Sequence, residues 1–357
     1  MEITRQHILQ WLREDDPRRL AELWQQADQV RRDSVGDQVH LRGLVEFSNH
    51  CVRSCGYCGL RLGNEVIARY RMTADGILAS AHQAVRFGYG TLVLQSGEDE
   101  ETSTRWMASV VRRVKSETPL AVTLSLGERG RDDLACWREA GADRYLLRFE
   151  TSNRELFDKI HPSLPGRHSD RIAILHQLRE LGYEVGSGVM IGIPGQTYDD
   201  LANDIELFRQ LRLDMIGVGP YLPHPATPLG QFGDRLAAPP GEQVPNSEEM
   251  TYKVVALARL VCPKANIPST TALATVNKEE GRELGLQRGA NVVMPNLTPL
   301  EYRRLYEIYP SKACIQERAE DCHHCLSHRI AAIGREVGSG RGDSASHRHR
   351  STPADPG

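Results

Sequence analysis

The sequence predicts an α/β fold in which a parallel sheet closes into a TIM-type barrel. From about residue 41 onward, short runs rich in apolar and β-branched residues alternate about eight times with segments of helical periodicity. Strands and helices that alternate in this way build parallel sheets through right-handed crossovers, and eight such units are enough to close a barrel. An open, doubly wound sheet is the competing architecture.

The N-terminal segment, residues 1–40, is predicted to be a helical cover packed on the barrel. Apolar residues recur at helical spacing in two stretches before residue 33. Between them, Asp16 followed by Pro17 is typical of a helix cap and first turn. Nothing in this segment points to chemistry.

The barrel itself is predicted to span residues 41–310. Its candidate strands are 41–47, 90–96, 119–125, 143–149, 185–191, 214–219, 266–270 and 291–294. Its candidate helices are 73–88, 102–116, 131–140, 168–182, 197–211, 247–262, 279–288 and 300–309. Residues 225–246 are rich in Pro, Gly and Ala, which predicts a long loop over the barrel mouth.

Two segments are predicted to follow the barrel as a C-terminal extension. Residues 311–334 are expected to hold a group of cysteines and a helix. Residues 335–357 have almost no apolar side chains and consist largely of Gly, Ser, Arg, His and Pro. Such a composition cannot bury a core, so it predicts a disordered tail.

The composition argues against several classes of function. Lys and Arg total 44 against 47 Asp and Glu, a net charge of -3, so there is no electrostatic case for a nucleic-acid partner. The chain has no run of about 18 apolar residues and no signal-peptide core, so no membrane partner is expected. Eight cysteines in such a chain indicate reduced thiols and a cytoplasmic location.

The strongest functional signal is a group of cysteines just after the first predicted strand. Cys51, Cys55 and Cys58 have Cys-x3-Cys-x2-Cys spacing, and thiolates so close in sequence can converge on one metal centre at little entropic cost. A four-iron cluster on three cysteines leaves one iron open, whereas structural zinc sites fill all four positions. The alternatives are three unrelated buried cysteines, a zinc site completed by His50, and a disulfide framework.

The motif and several stretches after it resemble a known family. Cys-x3-Cys-x2-Cys with Tyr57 before the last cysteine is similar to the radical S-adenosylmethionine (SAM) superfamily. The narrower resemblance, to the HydE family of [FeFe]-hydrogenase maturases, rests on the stretches VEFSNHCVRSCGYCGLR, LVLQSGED, VTLSLGE, ADRYLLRFET, GIPGQT, GVGPYLPHP and NVVMPN. It runs from about residue 41 to about residue 330 and implies a complete (β/α)8 barrel.

The resemblance implies two cofactors at the barrel mouth: a [4Fe-4S] cluster on the three cysteines, and SAM (S-adenosyl-L-methionine) on its open iron. One electron from the cluster would cleave SAM to methionine and a 5'-deoxyadenosyl radical. The residues implied as SAM contacts are Tyr57, Gln95, Ser96, Arg148, Glu150, Arg171, Met294 and Tyr306. The alternatives are a simple ion pair between Arg148 and Glu150 and a core-filling role for Met294.

A second implied set belongs to the substrate end of the barrel interior. Its members are Thr123, Arg144, Thr270 and Thr271. A planar guanidinium and short hydroxyl groups suit a carboxylate or a cyanide-bearing iron complex. The alternative is that threonines near strand ends are simply good β-formers.

A second group of cysteines, Cys314, Cys322 and Cys325, follows the last predicted barrel helix. Some members of the family carry this trio as ligands of an auxiliary cluster and others lack it. The resemblance therefore implies an auxiliary site, such as a [2Fe-2S] cluster, that the core reaction does not need. A zinc site completed by His323 or His324 is the alternative.

The function implied by the resemblance is that of a radical SAM enzyme in hydrogenase maturation. Its substrate would be an iron-carbonyl-cyanide-cysteine synthon supplied by the maturase HydG, and its product would pass toward HydF. An electron donor for the cluster is also implied. The alternatives are a methylornithine synthase-like mutase of the same superfamily and a non-catalytic iron-sulfur scaffold.

Overall fold

Parallel strand segments form the wall of a barrel. The computed structural model describes residues 3–236 and 238–347. Its strands are β1 (Gln38–Ser48), β2 (Thr91–Ser96), β3 (Ala121–Ser125), β4 (Arg144–Leu146), β5 (Glu184–Ser187), β6 (Met190–Ile191), β7 (Met215–Ile216), β8 (Gly219–Pro220), β9 (Val292–Val293) and β10 (Glu336–Val337). Parallel pairing runs from β1 through β2, β3, β4 and β5 to β7.

The sheet closes on itself. On its other edge β1 pairs with β9. Isolated parallel bridges join Met215 to Asn266 and Pro268 to Val292, so the extended residues 266–268 connect β7 to β9. This ring confirms the barrel over an open sheet. The predicted strand at 266–270 is reduced to these two bridges.

Helices surround the barrel. They are α1 (Arg5–Arg13), α2 (Pro17–Val35), α3 (Ala74–Arg86), α4 (Thr104–Glu117), α5 (Arg131–Glu139), α6 (Arg154–Ile160), α7 (Arg171–Glu180), α8 (Tyr198–Gln210), α9 (Pro228–Phe232), α10 (Glu248–Val261), α11 (Thr271–Val276), α12 (Gly281–Gln287), α13 (Leu300–Arg303) and α14 (Ala319–Ala332). Three short helices, α6, α9 and α11, were not predicted, because five to seven residues show too little periodicity.

The two N-terminal helices lie against the outside of the barrel, as predicted. Asp16 caps α2 by accepting a hydrogen bond from the main-chain N–H of Arg18, and Pro17 occupies the first turn. Helix α1 packs on α8, and α2 packs on α10. The buried side chains Ile8 and Leu23 anchor the two helices.

The prediction of disorder from residue 335 is wrong for residues 335–347. Strand β10 pairs in parallel with the first residues of β1, and Arg335 is buried. Composition predicted disorder because the segment is poor in apolar residues, but polar groups of the barrel, rather than a core, hold it in place. Residues 348–357 lie outside the described residues.

Residues 338–347, the tail segment, cover the N-terminal ends of the barrel strands. Asp343 pairs with Arg144, the first residue of β4. The main-chain N–H of Ser344 donates to Glu184, the first residue of β5, at 3.0 Å. Strand starts in a parallel barrel lie opposite the mouth, so the tail segment forms a floor.

Among the described residues, no helix is both long and apolar enough to span a bilayer.

Candidate functional site

The loop after β1 brings three cysteines together at the barrel mouth. Cys55 is buried, and Cys51 and Cys58 are half-buried. Burial raises the pKa of Cys58 to about 12, and the Cys51 thiol adds to this shift. Burial also raises the pKa of Cys55, with contributions from both other thiols. The three thiols therefore lie within electrostatic reach of one another.

This arrangement fits an iron-sulfur cluster better than a single ion. Within residues 3–236 and 238–347, no three His, Cys, Asp or Glu side chains are placed to hold one metal ion. This finding disfavours the zinc site with His50. A four-iron cluster is wider than one ion, so its sulfur ligands stand further apart. All eight cysteines are free, so the disulfide framework is wrong.

Two glycines let neighbouring segments approach the cysteine loop. A Cβ at Gly97 would overlap the carbonyl oxygen of His50 and lie 2.8 Å from Cβ of Cys51. A Cβ at Gly59 would overlap the carbonyl oxygen of Glu307. Only glycine tolerates such contacts. The loops after β1 and β2 and the segment after α13 therefore meet at the mouth.

A chamber of about 270 Å³ lies inside the barrel. Its wall includes Cys58, so the cysteine loop opens directly onto it. The predicted site residues that line it are Tyr57, Cys58, Gln95, Thr123, Arg148, Glu150, Thr270, Thr271 and Met294. The chamber therefore brings members of both implied sets, for SAM and for substrate, onto one cavity.

Arg148 and Glu150 form an ion pair on the chamber wall, with 3.1 Å between Nη2 and Oε2. Nε of Arg148 is buried and has no hydrogen-bond partner within the described chain, which leaves a donor for a ligand. Glu150 has a φ of 64°, a left-handed conformation that costs about 1–3 kcal/mol and often marks functional sites. The ion pair given as the alternative is thus present, and it faces the chamber.

Three implied SAM contacts do not line the chamber itself. Ser96 donates its hydroxyl to the next carbonyl oxygen along the chain at 2.6 Å. The Tyr306 hydroxyl accepts a hydrogen bond from Nε2 of Gln95 at 3.3 Å. Nη1 of Arg171 donates to the main-chain oxygen of Arg148 at 2.7 Å. Tyr306 and Arg171 therefore hold residues of the chamber wall in place.

The prediction that Arg144 lines the substrate end is wrong. Its guanidinium is fully buried, with Nε donating to Glu184 at 2.7 Å and Nη1 to the Thr91 hydroxyl at 2.8 Å. Nη2 pairs with Asp343 of the tail segment. Arg144 begins β4, so its side chain lies at the floor of the barrel. Every nitrogen already has a partner within the chain, and the side chain does not line the chamber.

The cation that does line the chamber near the floor is Arg42, which the sequence analysis missed. Its Nη2 donates to the main-chain oxygen of Gly342 at 3.0 Å, while Nε is buried without a hydrogen-bond partner in the described chain. Burial, aided by the charge of Arg144, lowers the pKa of Arg42 to about 9. The sequence did contain a signal for this residue, because Arg42 is a charged residue within the otherwise largely apolar run of β1.

A buried polar network adjoins the cysteine loop. Arg53 pairs with Glu98 at 2.6 Å and with Glu128 at 2.8 Å. Glu128 also accepts from Nε of Arg171 at 3.0 Å. Burial acts to raise the pKa of Glu128, but these positive charges and its hydrogen bonds outweigh that effect and hold the pKa well below its usual range.

His161 completes this network beneath Cys55. Burial, and then the charge of Arg171, lower the pKa of His161 to about 4, so the ring is neutral near pH 7. Of the network, the sequence pointed to Arg171 as a site residue and to Arg53, Glu98 and Glu128 only as parts of the stretches that carry the family resemblance. The others are single charged or aromatic residues far apart in sequence, with no spacing that signals a common site.

Cys314, Cys322 and Cys325 line a second cavity, of about 600 Å³. A hydrogen bond from the Cys322 thiol lowers the pKa of Cys314 below that of an ordinary thiol. Nη2 of Arg282 lies 3.3 Å from the same sulfur and adds a positive charge. The trio is therefore assembled, with one sulfur favoured as thiolate.

His323 does not join this trio. Its ring stacks on Phe87 with 4.8 Å between centroids, and Nδ1 lies 3.2 Å from the Tyr89 hydroxyl. These contacts disfavour the alternative zinc site with His323.

Lys312 lies between the two cavities and lines both. Its ammonium group pairs with the buried carboxylate of Glu46 on β1. Residues 304–318, the mouth segment, carry this lysine together with Cys314. The same piece of chain therefore walls the chamber and supplies a cysteine to the second cavity.

Comparisons with known proteins identify relatives over most of the chain. Residues 45–208 match the Radical SAM superfamily. The chain is 44% identical over 337 residues to the [FeFe] hydrogenase maturase subunit HydE of Thermotoga maritima, covering 94% of this chain and 92% of that protein. It is 29% identical over 328 residues to 3-methylornithine synthase of Methanosarcina acetivorans, covering 89% of this chain and 85% of that protein.

Solved structures share the barrel. The crystal structure of methylornithine synthase has a TM-score of 0.82 at 26% identity and covers 95% of both chains. A crystal structure of HydG, a maturase of the [FeFe]-hydrogenase, has a TM-score of 0.78 at 19% identity and covers 98% of this chain and 75% of that chain. At 19% identity the second likeness concerns the fold alone.

Proposed function

This chain belongs to the HydE family of [FeFe]-hydrogenase maturases within the radical SAM superfamily, and we propose that it generates a 5'-deoxyadenosyl radical that acts on an iron-carbonyl-cyanide-cysteine synthon. The observation that carries the proposal is that Cys58 lines the same chamber as Thr123 and Thr270. A radical formed at the cysteines would reach a substrate in that chamber without meeting bulk water.

The cysteine loop would hold a [4Fe-4S] cluster on Cys51, Cys55 and Cys58. When bound, the cluster supplies one electron that breaks a carbon-sulfur bond of SAM and yields methionine and the radical. The protein itself holds both cofactors, orients them and keeps water out. The loop glycines support this role, since they allow three segments to close over the mouth.

The chamber wall offers the groups that SAM requires. Glu150 provides a carboxylate for an ammonium group, and the unpartnered Nε of Arg148 provides a donor for a carboxylate. Met294 provides an apolar surface. Tyr306 orients Gln95, and Arg171 fixes the main chain at Arg148.

The remaining wall offers donors for the substrate. The hydroxyl of Thr123 is buried and has no hydrogen-bond partner within the described residues, and the same is true of Nε of Arg42. Carbonyl, cyanide and carboxylate groups accept hydrogen bonds, which suits these donors and the hydroxyls of Thr270 and Thr271. Arg42 takes the role that the sequence analysis gave to Arg144.

We infer the wider setting from the family. HydG would supply the synthon, HydF would receive the product, and an electron donor would reduce the cluster in the cytoplasm. The second cavity would hold an auxiliary [2Fe-2S] cluster on Cys314, Cys322 and Cys325, supported by the position of all three cysteines on its wall.

Anaerobic reconstitution tests the core of this proposal. The chain is loaded with iron and sulfide, reduced with dithionite and given SAM, and 5'-deoxyadenosine is measured by chromatography. We expect its formation in the unaltered chain and its loss when Cys51, Cys55 and Cys58 are changed together to Ala. Formation of 5'-deoxyadenosine by that triple variant would refute the proposal.

Two other functions give different products under the same conditions. A non-catalytic scaffold binds the cluster but yields no 5'-deoxyadenosine. A methylornithine synthase, favoured only by the TM-score of 0.82 and 29% identity, converts lysine to methylornithine. We expect no turnover of lysine, and its conversion would replace the maturase assignment.

A further inference from the structure

His161 lies directly against a cysteine of the cluster motif. It follows the last residue of α6, its side chain is fully buried, and its ring Nδ1 lies 2.9 Å from Sγ of Cys55. The Cys-x3-Cys-x2-Cys motif does not include this residue, which stands 106 positions further along the chain. The contact therefore comes from the fold and not from the motif.

The other side of the ring is held by a charged pair. Nη2 of Arg171 lies 3.0 Å from Nε2 of His161 and 3.4 Å from Nδ1, so Nε2 is its nearer partner, and Oε1 of Glu128 lies 3.2 Å from Nε2. Guanidinium nitrogens only donate hydrogen bonds, so a hydrogen bond from Arg171 to Nε2 requires that Nε2 carries no proton. A hydrogen bond to Glu128 would instead require a proton on Nε2. The same Glu128 oxygen, however, already accepts hydrogen bonds from Nε of Arg171 and from the Ser169 hydroxyl.

The state of Cys55 decides between the two tautomers. A cysteine that ligates iron is a thiolate, which only accepts hydrogen bonds. With the proton on Nε2, the lone pair of Nδ1 would face the sulfur lone pairs at 2.9 Å. With the proton on Nδ1, the ring donates to Sγ and accepts from Arg171 at Nε2, while Glu128 keeps its hydrogen bonds from Arg171 and Ser169.

We propose that His161 is a positioning residue for the cluster, donating an Nδ1–H hydrogen bond to the Cys55 sulfur and so raising the reduction potential. This inference rests on the proposed function, because it requires the cluster at the three cysteines. Hydrogen bonds to cluster sulfurs stabilise the reduced form, which carries the greater negative charge. His161 would therefore favour uptake of the electron that SAM cleavage consumes.

The network behind the ring fixes its orientation and extends to the chamber wall. Glu128 is bound by Arg53 as well as Arg171, so the carboxylate cannot swing away without breaking two ion pairs. Arg171 also donates to the main-chain oxygen of Arg148. The same group of side chains thus holds the ring against Cys55 and supports a residue that lines the chamber.

The simpler explanation is that His161 only fills space beside Phe157, whose ring centroid is 4.9 Å away. Two substitutions separate filling from hydrogen bonding. In asparagine the amide nitrogen is bonded to Cγ, as Nδ1 is in histidine, so His161→Asn keeps a donor toward Cys55. In glutamine the amide is one carbon further out, so His161→Gln keeps a polar group beside Arg171 but moves the donor away from the sulfur.

The test is a redox titration of the reconstituted chain, with the reduced cluster measured by electron paramagnetic resonance. For His161→Gln and His161→Ala we expect a midpoint potential more negative than that of the unaltered chain. At a fixed potential the ratio of reduced to oxidised cluster should fall about tenfold, the equivalent of one hydrogen bond to a charged group. His161→Asn should remain near the unaltered value.

An unchanged potential in His161→Gln would refute the inference, as would equal shifts in the Asn and Gln variants. If no cluster forms in the variants, pulsed resonance on the chain labelled with nitrogen-15 histidine decides. We expect a weak histidine coupling to the reduced cluster that persists in His50→Gln, and its absence there would refute the inference. If the unaltered chain binds no cluster or makes no 5'-deoxyadenosine, the proposed function fails instead.

Discussion

Three buried donors on the chamber wall have no hydrogen-bond partner within the described residues. Most buried polar groups in proteins are hydrogen-bonded, so each exception calls for an explanation. The Thr123 hydroxyl and Nε of Arg42 and Arg148 are such exceptions within the described residues, and all three side chains line the chamber. A bound ligand that accepts hydrogen bonds would satisfy them.

Thr123 and Thr91 offer a matched pair of substitutions. Thr123→Val removes a hydroxyl without a partner, so the free energy of unfolding should stay within about 1 kcal/mol of the unaltered value. Thr91→Val removes a hydroxyl that donates to the Arg341 oxygen and accepts from Arg144, which should cost about 1–3 kcal/mol. Urea unfolding measures both, and equal losses would contradict the assignment.

The effects of the two substitutions on activity should be the reverse of their effects on stability: Thr123→Val should impair turnover, and Thr91→Val should not. Loss of the Thr123 hydroxyl should raise the synthon concentration needed for half-maximal turnover about tenfold, because one hydrogen bond to substrate is lost. Thr91→Val should leave that concentration unchanged. Initial rates at increasing synthon concentration provide the measurement.

Asp143 provides a test of pH dependence. It accepts hydrogen bonds from the Val122 N–H at 2.7 Å, Lys115 at 3.0 Å and Arg341 at 2.5 Å. Burial acts to raise its pKa, but these partners outweigh burial and lower the pKa below the usual 3.8. A carboxyl with a depressed folded-state pKa stabilises the fold above its unfolded pKa, and that contribution is lost as pH falls through the folded value.

Asp143→Asn should therefore lower the free energy of unfolding at pH 7, and the difference from the unaltered chain should shrink below about pH 4. Urea unfolding at a series of pH values measures this difference. A loss of the same size at every pH would show that Asp143 acts through packing alone.

At the scale of elements, the mouth segment contributes to the walls of both the chamber and the second cavity. It carries Lys312, which lines both cavities, and two left-handed residues, Ser311 and Cys314, that shape its turns. Changing Cys314, Cys322 and Cys325 together to Ala should remove about two irons per chain, those of a [2Fe-2S] cluster. Formation of 5'-deoxyadenosine should persist.

Iron analysis and product yield measure that outcome, with Cys136→Ala as the control that should lose no iron. A complete loss of 5'-deoxyadenosine in the triple variant, with its fold intact by circular dichroism, would show that the auxiliary site is essential to the core reaction.

A helix can be predicted from the sequence when its pattern of apolar residues extends over several turns. Helices of nine or more residues, such as α4 and α10, were found because apolar residues repeat over several turns. Helix α11 has six residues and was missed. As a consequence Thr270 was interpreted as a strand end, whereas it is the N-cap of α11 and accepts a hydrogen bond from the Leu273 N–H.

At the scale of the whole molecule, the tail segment and Arg144 show where sequence alone fails. The three cysteines and part of the chamber wall could be predicted, because spacing and family motifs specify them. Arg144 and Asp343 are 199 positions apart, and neither carries a local pattern. Each finds its partner only in the folded chain, so Arg144 was assigned to a ligand and Asp343 to a disordered tail.

Truncation of the chain after Val337 tests whether the tail segment stabilises the barrel. Without Asp343 the buried Arg144 loses one carboxylate, and Glu184 loses the Ser344 N–H. We expect the melting temperature to fall by on the order of 10 °C, because a buried ion pair is broken. Arg131→Ala, which cuts the solvent-exposed pair with Glu180, is the control and should change the melting temperature little.

Deuterium incorporation measures the same floor directly. With the floor removed, the main-chain amides at the starts of β4 and β5 should exchange with deuterated solvent faster than in the full chain, because water reaches these strand ends. Equal exchange in both chains would show that the tail segment does not shield these strand ends.

The tail segment also sets an order of events during synthesis. Every predicted ligand and chamber residue is translated before residue 338, so the cysteine loop and the barrel strands leave the ribosome while the floor is still missing. A chain interrupted at that stage would carry all the predicted ligands and chamber residues but would lack the tail segment that covers the N-terminal ends of the strands. Translation through the tail segment then adds the floor, which we expect to close the N-terminal end of the chamber.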